Sequence, residues 1–141
     1  MSGGETKWTE RKIASALYCA YGAESRYCFP NIFIHYKEID FLRIRQSGRA
    51  EGFEIKISRS DFKADFEKKD WHRLLSLGMS PHVPNRFWYA VPEDLIQPED
   101  VPEYAGLVWV SYFPRLGRTG VAVKKMPRCC TRRRPRTRIS G

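Results

Sequence analysis

Apolar residues recur at two different periods along the chain, and the changes of period divide it into elements. Ile13, Leu17 and Tyr21 are spaced four apart, the stripe of an amphipathic helix over residues 10–21. Thr9 stands where such a helix is capped, and Glu10 and Arg11 occupy its first turn, where Glu10 suits the positive end of the helix dipole. A loop is expected over residues 22–30, and the period then falls to two. NIFIHY (31–36) and IDFLRIR (39–45) read as strands, QSGRAEG (46–52) as a hairpin turn, and FEIKIS (53–58) as a third strand returning antiparallel. Ser58 and Asp61 have the spacing of a capping box, so a second helix is predicted to begin near Ser60, with Phe62, Phe66, Leu74 and Leu75 on its core side and Gly78 as its stop. RFWYAVP (86–92) is an apolar, aromatic strand suited to the centre of a sheet. A connection rich in proline and acid follows, with room for one helical turn. GLVWVSYF (106–113) is another strand, RLGRTG a turn, and VAVKKM a final edge strand. The order α-β-β-β-α-β describes an α/β fold, a mixed β-sheet flanked by helices, with no internal repeat.

Composition agrees with a single domain. At 141 residues, with 42% hydrophobic and 13% aromatic side chains, the chain can build one core. Residues 1–8 are expected to be a flexible N-terminus, 9–126 the folded domain, and 127–141 a basic, disordered tail. The net charge of +9 is unevenly placed: residues 124–141 carry eight Lys or Arg and no acid, so the body is close to neutral. Such a tail either neutralises nucleic-acid phosphates or is a solvated segment. No run of 18 apolar residues and no apolar leader stand in the sequence, which predicts no membrane partner and a cytoplasmic protein. The four cysteines make no CxxC and no zinc spacing with His35, His72 or His82. Cys19 reads as part of the apolar helix face and Cys28 as a thiol beside a strand start.

The chemistry lies in the third strand. Side chains alternate faces along a strand, so Glu54 and Lys56 point the same way, as do Glu38 and Asp40. A hairpin at QSGRAEG brings Asp40 beside Glu54 or Lys56, gathering charges where the sheet is otherwise apolar. Charges so placed need mutual pairing or a cation. Two carboxylates and a strand carbonyl are hard oxygen donors suited to Mg²⁺, with a lysine near enough to orient a water. His35 and His82 read as structural.

Asp40, thirteen residues, then Glu54-Ile55-Lys56 resembles the signature of the PD-(D/E)XK nuclease superfamily, with Ile39 where the signature's name has proline. The run EIKISRSDFKADFEKKDW, with FWYAVPEDL and PEYAGLVWV after it, resembles more narrowly the MmcB-like DNA repair and phage-endonuclease branch. The resemblance spans roughly residues 9–111. It implies a restriction-endonuclease-like fold and a Mg²⁺-dependent endonuclease acting on DNA, with Mn²⁺ able to substitute, no nucleotide cofactor, and a place in a bacterial or phage-infected cell. It implies that Asp40 and Glu54 bind the metal, Ile55 lends its carbonyl, and Lys56 positions or activates water. Glu10 matches a position where many members add an acid, its other reading being a helix-dipole partner. Glu38 either faces the rim of the site or balances Lys37. Arg59 and Lys63 are placed to touch the DNA backbone. Lys68, Lys69 and His72 would reach the scissile phosphate from the second helix, unless the lysines form a solvated face. Ser58 and Asp61 read as helix caps. Cutting both strands of a duplex would need two active sites, which a homodimer would supply. The alternative is a non-catalytic nucleic-acid-binding module on the same fold.

Overall fold

A computed structural model of the chain describes residues 7–34, 37–68, 71–73, 75 and 84–128. His35, Lys69, Leu74, Gly78, His82 and the segments 1–6 and 129–141 lie outside the described residues. Helix α1 (Glu10–Tyr21) starts at Thr9, whose extended backbone turns its hydroxyl to accept the Lys12 amide at 3.1 Å. Ile13, Ala16 and Leu17 are its buried residues. Cys19 is exposed instead of sharing that face. It lies two residues beyond Leu17, a step of about 200° around a helix, which turns it outward.

Among the described residues six strands form one sheet in chain order: β1 (Ser25–Ile34), β2 (Lys37–Arg45), β3 (Ala50–Ile55), β4 (Arg86–Pro92), β5 (Ala105–Phe113) and β6 (Arg118–Lys125). β3, β4 and β5 run parallel; the outer pairs β1/β2, β2/β3 and β5/β6 are antiparallel. The sheet begins earlier than the sequence pattern suggests. Residues expected to loop are already paired, Tyr27 with Ile44 and Phe29 with Leu42. Pro30 is tolerated because β1 is an edge strand; Asn31 after it has a positive φ of 51°, and the register shift of the strand lies earlier, between Ser25 and Tyr27.

The second helix is shorter than its apolar spacing implies. Helix α2 (Arg59–Asp65) is capped by Ser58, which accepts the Asp61 amide at 3.1 Å. It ends in three successive i→i+3 bonds, Phe66 to Lys63, Glu67 to Ala64 and Lys68 to Asp65. Helical backbone is found again at residues 71–73 and 75. Those tight turns swing Lys68 back over Asp65.

Two cores lie on opposite faces of the sheet. Ile13, Leu17, Phe41, Phe53, Ile55, Trp88 and Val108 pack beneath α1. Phe62, Trp71, Leu75, Phe87, Tyr89, Ile96 and Leu107 pack on the α2 side. The central strands are therefore apolar on both faces, as buried parallel strands must be. Among the described residues no helix is long and apolar enough to cross a membrane.

Candidate active site

The site grows from the alternation of β3. Phe53 and Ile55 are buried on the α1 side, so Glu54 and Lys56 point to the α2 side. The Lys56 amide still bonds the Ala90 carbonyl at 3.1 Å, which carries strand geometry one residue past β3. Both side chains thus stand at the carboxyl end of a parallel strand, where open α/β sheets leave a crevice.

Asp40 arrives from β2. The register Phe41↔Phe53 sets it next to Glu54, and there the ladder opens. In place of a backbone carbonyl, Asp40 Oδ2 accepts the Ile55 amide at 2.8 Å. The hairpin is twisted at this level. Ile39 packs on the α2 side and Phe41 on the α1 side, a break in the strict alternation of β2. Across from Asp40, between paired residues Pro30 and Ile32, sits Asn31 with its positive φ. Asp40 therefore lies at the seam between the two faces.

Electrostatics mark the same point. Burial, then the charge of Glu54, push the Asp40 carboxyl up to about 6, the Ile55 amide opposing and Glu10 adding to the rise. Glu10, exposed in the first turn of α1, is thus close enough to act on Asp40. Glu54, only 5% exposed, is ringed by lysines: Lys37 at 3.6 Å, Lys56 at 3.5 Å and Lys68 at 3.3 Å. Burial holds Lys37 below the usual lysine range despite Glu54. In Lys68 the balance reverses: Glu54 and Asp65 outweigh burial and hold its ammonium above that range.

Asp65 organises this lysine cluster, and sequence reasoning did not single it out. It is 1% exposed. Its Oδ2 accepts the Tyr89 hydroxyl at 2.7 Å and pairs with His72 Nε2 at 2.8 Å; its Oδ1 faces Lys68 at 3.1 Å and Lys56 at 3.3 Å. Burial would raise the Asp65 carboxyl, but His72, Tyr89 and the two lysines outweigh it and hold Asp65 well below the carboxylate range. Lys56 is consequently gripped between Glu54 and Asp65. Lys37 was likewise not a candidate, and it lies over the Trp71 ring at 5.1 Å. In sequence Asp65 is one more polar position on a helix expected to run to Gly78, and only the tertiary fold brings Tyr89 and His72 to it.

The remaining candidates are dispersed. His72 is held by Asp65 and by the Tyr104 hydroxyl, which makes it a structural link and leaves neither ring nitrogen for a phosphate. Arg59 donates to the Leu95 carbonyl at 2.8 Å, and Lys63 is exposed on α2. Glu38 is exposed on β2. A second buried acid, Glu51, makes a different kind of centre. It pairs with three arginines, Arg43 at 3.3 Å, Arg45 at 3.2 Å and Arg86 at 3.8 Å. Those pairs leave Glu51 no free face.

Among the described residues no group of three His, Cys, Asp or Glu stands ready to hold a metal ion. Asp40 and Glu54 nevertheless form a close acid pair in which Glu54 raises Asp40. Two carboxylates with a strand carbonyl are the donor set of a magnesium ion that keeps waters and takes substrate phosphate as a further ligand.

No family model and no curated protein matches the chain. Among solved structures it is similar to the SPO1766 protein of unknown function from Silicibacter pomeroyi, with a TM-score of 0.62 and 16% identity, over 87% of this chain and 74% of that one. The likeness is one of fold. It supports the α/β architecture, a mixed sheet flanked by helices, and carries no activity with it.

Proposed function

We propose that the chain is a metal-dependent endonuclease of PD-(D/E)XK type, hydrolysing DNA phosphodiester bonds. The observation that carries this reading is the meeting of Asp40, Glu54 and Lys56 at the open end of β3, with Asp40 on the Ile55 amide at 2.8 Å and Lys56 3.5 Å from Glu54. The restriction-endonuclease-like assignment of the sheet belongs to the same reading. Asp40, Glu54 and the Ile55 carbonyl are the groups that would hold Mg²⁺ or Mn²⁺. Such an ion, when bound, supplies an acidified water and offsets charge on the phosphoryl oxygens. Lys56 orients the attacking water, held in aim by Glu54 and Asp65. Lys37 and Lys68 present positive charge beside the acids and draw the phosphate backbone in. Asp65 is a positioning residue for Lys56 and Lys68.

The test is cleavage of labelled single-stranded, duplex, flap and four-way-junction DNA by wild type and Glu54→Ala, in Mg²⁺, Mn²⁺ or EDTA. Metal-dependent cutting that is lost in the variant is the expected result. Binding without cutting on every substrate would favour the non-catalytic nucleic-acid-binding module.

A further inference from the structure

The α1 side of the molecule carries a second surface that none of the acid–lysine residues line. Between α1 and the turn joining β5 to β6 runs an open groove of about 1300 Å³. One wall holds Lys7, Arg11 and Lys12; the other holds Arg118. No acid lines it. Residues 104–141, which include the whole β5–β6 hairpin, contain no Asp or Glu. Glu10, next to Arg11 in the first turn of α1, is not among the lining residues, and the four lining cations make the groove a strip of net positive charge.

Aromatic rings share the groove with those cations. Tyr112, in step along β5 with Val108 and Val110 of the α1-side core, is 42% exposed toward the groove; Phe113, the last residue of the strand and of opposite parity, is 46% exposed and lines the groove at the turn; Trp8 lines the opposite wall while packing partly on the core beneath α1. The Phe113 ring is held, not loose. It lies against the backbone at Gly120, so closely that a Cβ there would come within 2.7 Å of a ring carbon. Glycine at 120 thus lets one edge of the ring abut the β6 backbone, which leaves the faces of the ring free of that contact. Exposed aromatic faces beside cations suit unpaired bases, whose π-faces stack while their phosphates pair with Lys and Arg. A base-paired duplex hides those faces within its own stack.

Charge also argues against the other occupants. A twofold contact between two copies would set the same cations against each other. The chain's own C-terminal segment is as basic as the groove.

We propose that the groove between α1 and the β5–β6 turn binds single-stranded nucleic acid. Tyr112 and Phe113 stack on unpaired bases, and Lys7, Arg11, Lys12 and Arg118 pair with phosphates. The choice of a polynucleotide rests in part on the nuclease reading, which the groove refines toward substrates with a single-stranded segment.

The experiment is fluorescence anisotropy of the full chain in EDTA across a salt series. The probes are a labelled oligothymidylate of roughly 16 nucleotides, the upper site size for such grooves, and a duplex of equal length. The double substitution Tyr112→Ala with Phe113→Ala should weaken oligothymidylate binding about tenfold or more. Duplex binding should change far less. Phe113→Tyr, which keeps the ring, should retain affinity and so separate stacking from misfolding. Arg11→Ala with Arg118→Ala should lower the salt slope by about 1.4, two single-strand phosphate contacts at about 0.7 each. Wild-type affinity and slope in both double variants would overturn the proposal. So would a dimer that the same substitutions dissociate without touching nucleic-acid binding, which would give the groove to a second copy. Because EDTA suppresses metal-dependent cutting, the result stands apart from the cleavage test. Loss of cleavage in Glu54→Ala leaves groove binding intact, and loss of the groove leaves duplex cutting intact.

Discussion

The Asp40 carboxylate accepts the Ile55 amide at 2.8 Å, at the point where β2 and β3 stop pairing backbone to backbone. One side chain thereby replaces a rung of the ladder and keeps a half-buried charge one residue from Glu54. The arrangement opposes Asp40's ionisation, since burial and Glu54 push its carboxyl up to about 6.

A pH dependence follows. An unfolded aspartate titrates near 3.9. Between about pH 4 and pH 6 the folded chain holds a proton that the unfolded chain has lost, so stability falls as pH rises through that window and stays lowered above it. Asp40→Asn keeps an acceptor for the Ile55 amide and removes the charge. In EDTA the variant should melt a few degrees above wild type at pH 7.5 and show no gain at pH 4, by thermal unfolding; a gain of about 1 kcal/mol moves the Tm by roughly 3–6 °C. Equal melting temperatures at pH 7.5 would contradict the strained acid pair.

Metal should reverse that order. A cation held by Asp40 and Glu54 binds the folded chain alone, so Mg²⁺ or Mn²⁺ in large excess over its Kd should raise wild-type stability by about 2–3 kcal/mol. Asp40→Asn and Glu54→Gln should lose most of that increment. A shift of equal size in all three chains would place the ion elsewhere.

Asp65 ties the lysines to the core. Asp65→Ala removes a partner from Lys56, Lys68, His72 and the Tyr89 hydroxyl together, and should cost about 3–5 kcal/mol in urea unfolding. Its depressed carboxyl contributes stability that is present above about pH 4 and is lost as pH falls below that value. A cost below about 1 kcal/mol would mean that the network is loosely held.

Glu51 gives the contrasting case. Its three arginine partners and 2% exposure make it structural. Glu51→Ala should also destabilise by about 3–5 kcal/mol. Per folded molecule, metal-dependent cleavage should be unchanged, because Glu51 faces neither Asp40 nor Lys56.

Much of this was legible in the chain, for physical reasons. The spacing of Ile13, Leu17 and Tyr21 with Thr9 before them gave α1, and the run from Arg86 to Pro92 gave β4, because apolar period and end signals agreed. The Glu54–Lys56 alternation told which side chains share a face. The start of β1 was hidden by Pro30, which looks like loop and is tolerated on an edge strand. The early end of α2 was hidden because Phe62 and Phe66 keep a helical spacing even though the backbone tightens after Asp65. The role of Asp65 depends on Tyr89, 24 residues away, and no local pattern carries that contact.

The most direct measurement on the central claim is single-turnover cleavage beside DNA binding for Lys56→Ala in Mg²⁺. Lys56 is set between Glu54 and Asp65, and the proposed mechanism has it act on the attacking water. The account predicts cleavage slowed by about 100-fold or more, with binding affinity nearly unchanged. A variant that cuts like wild type, or that loses binding and cutting in equal measure, would contradict it.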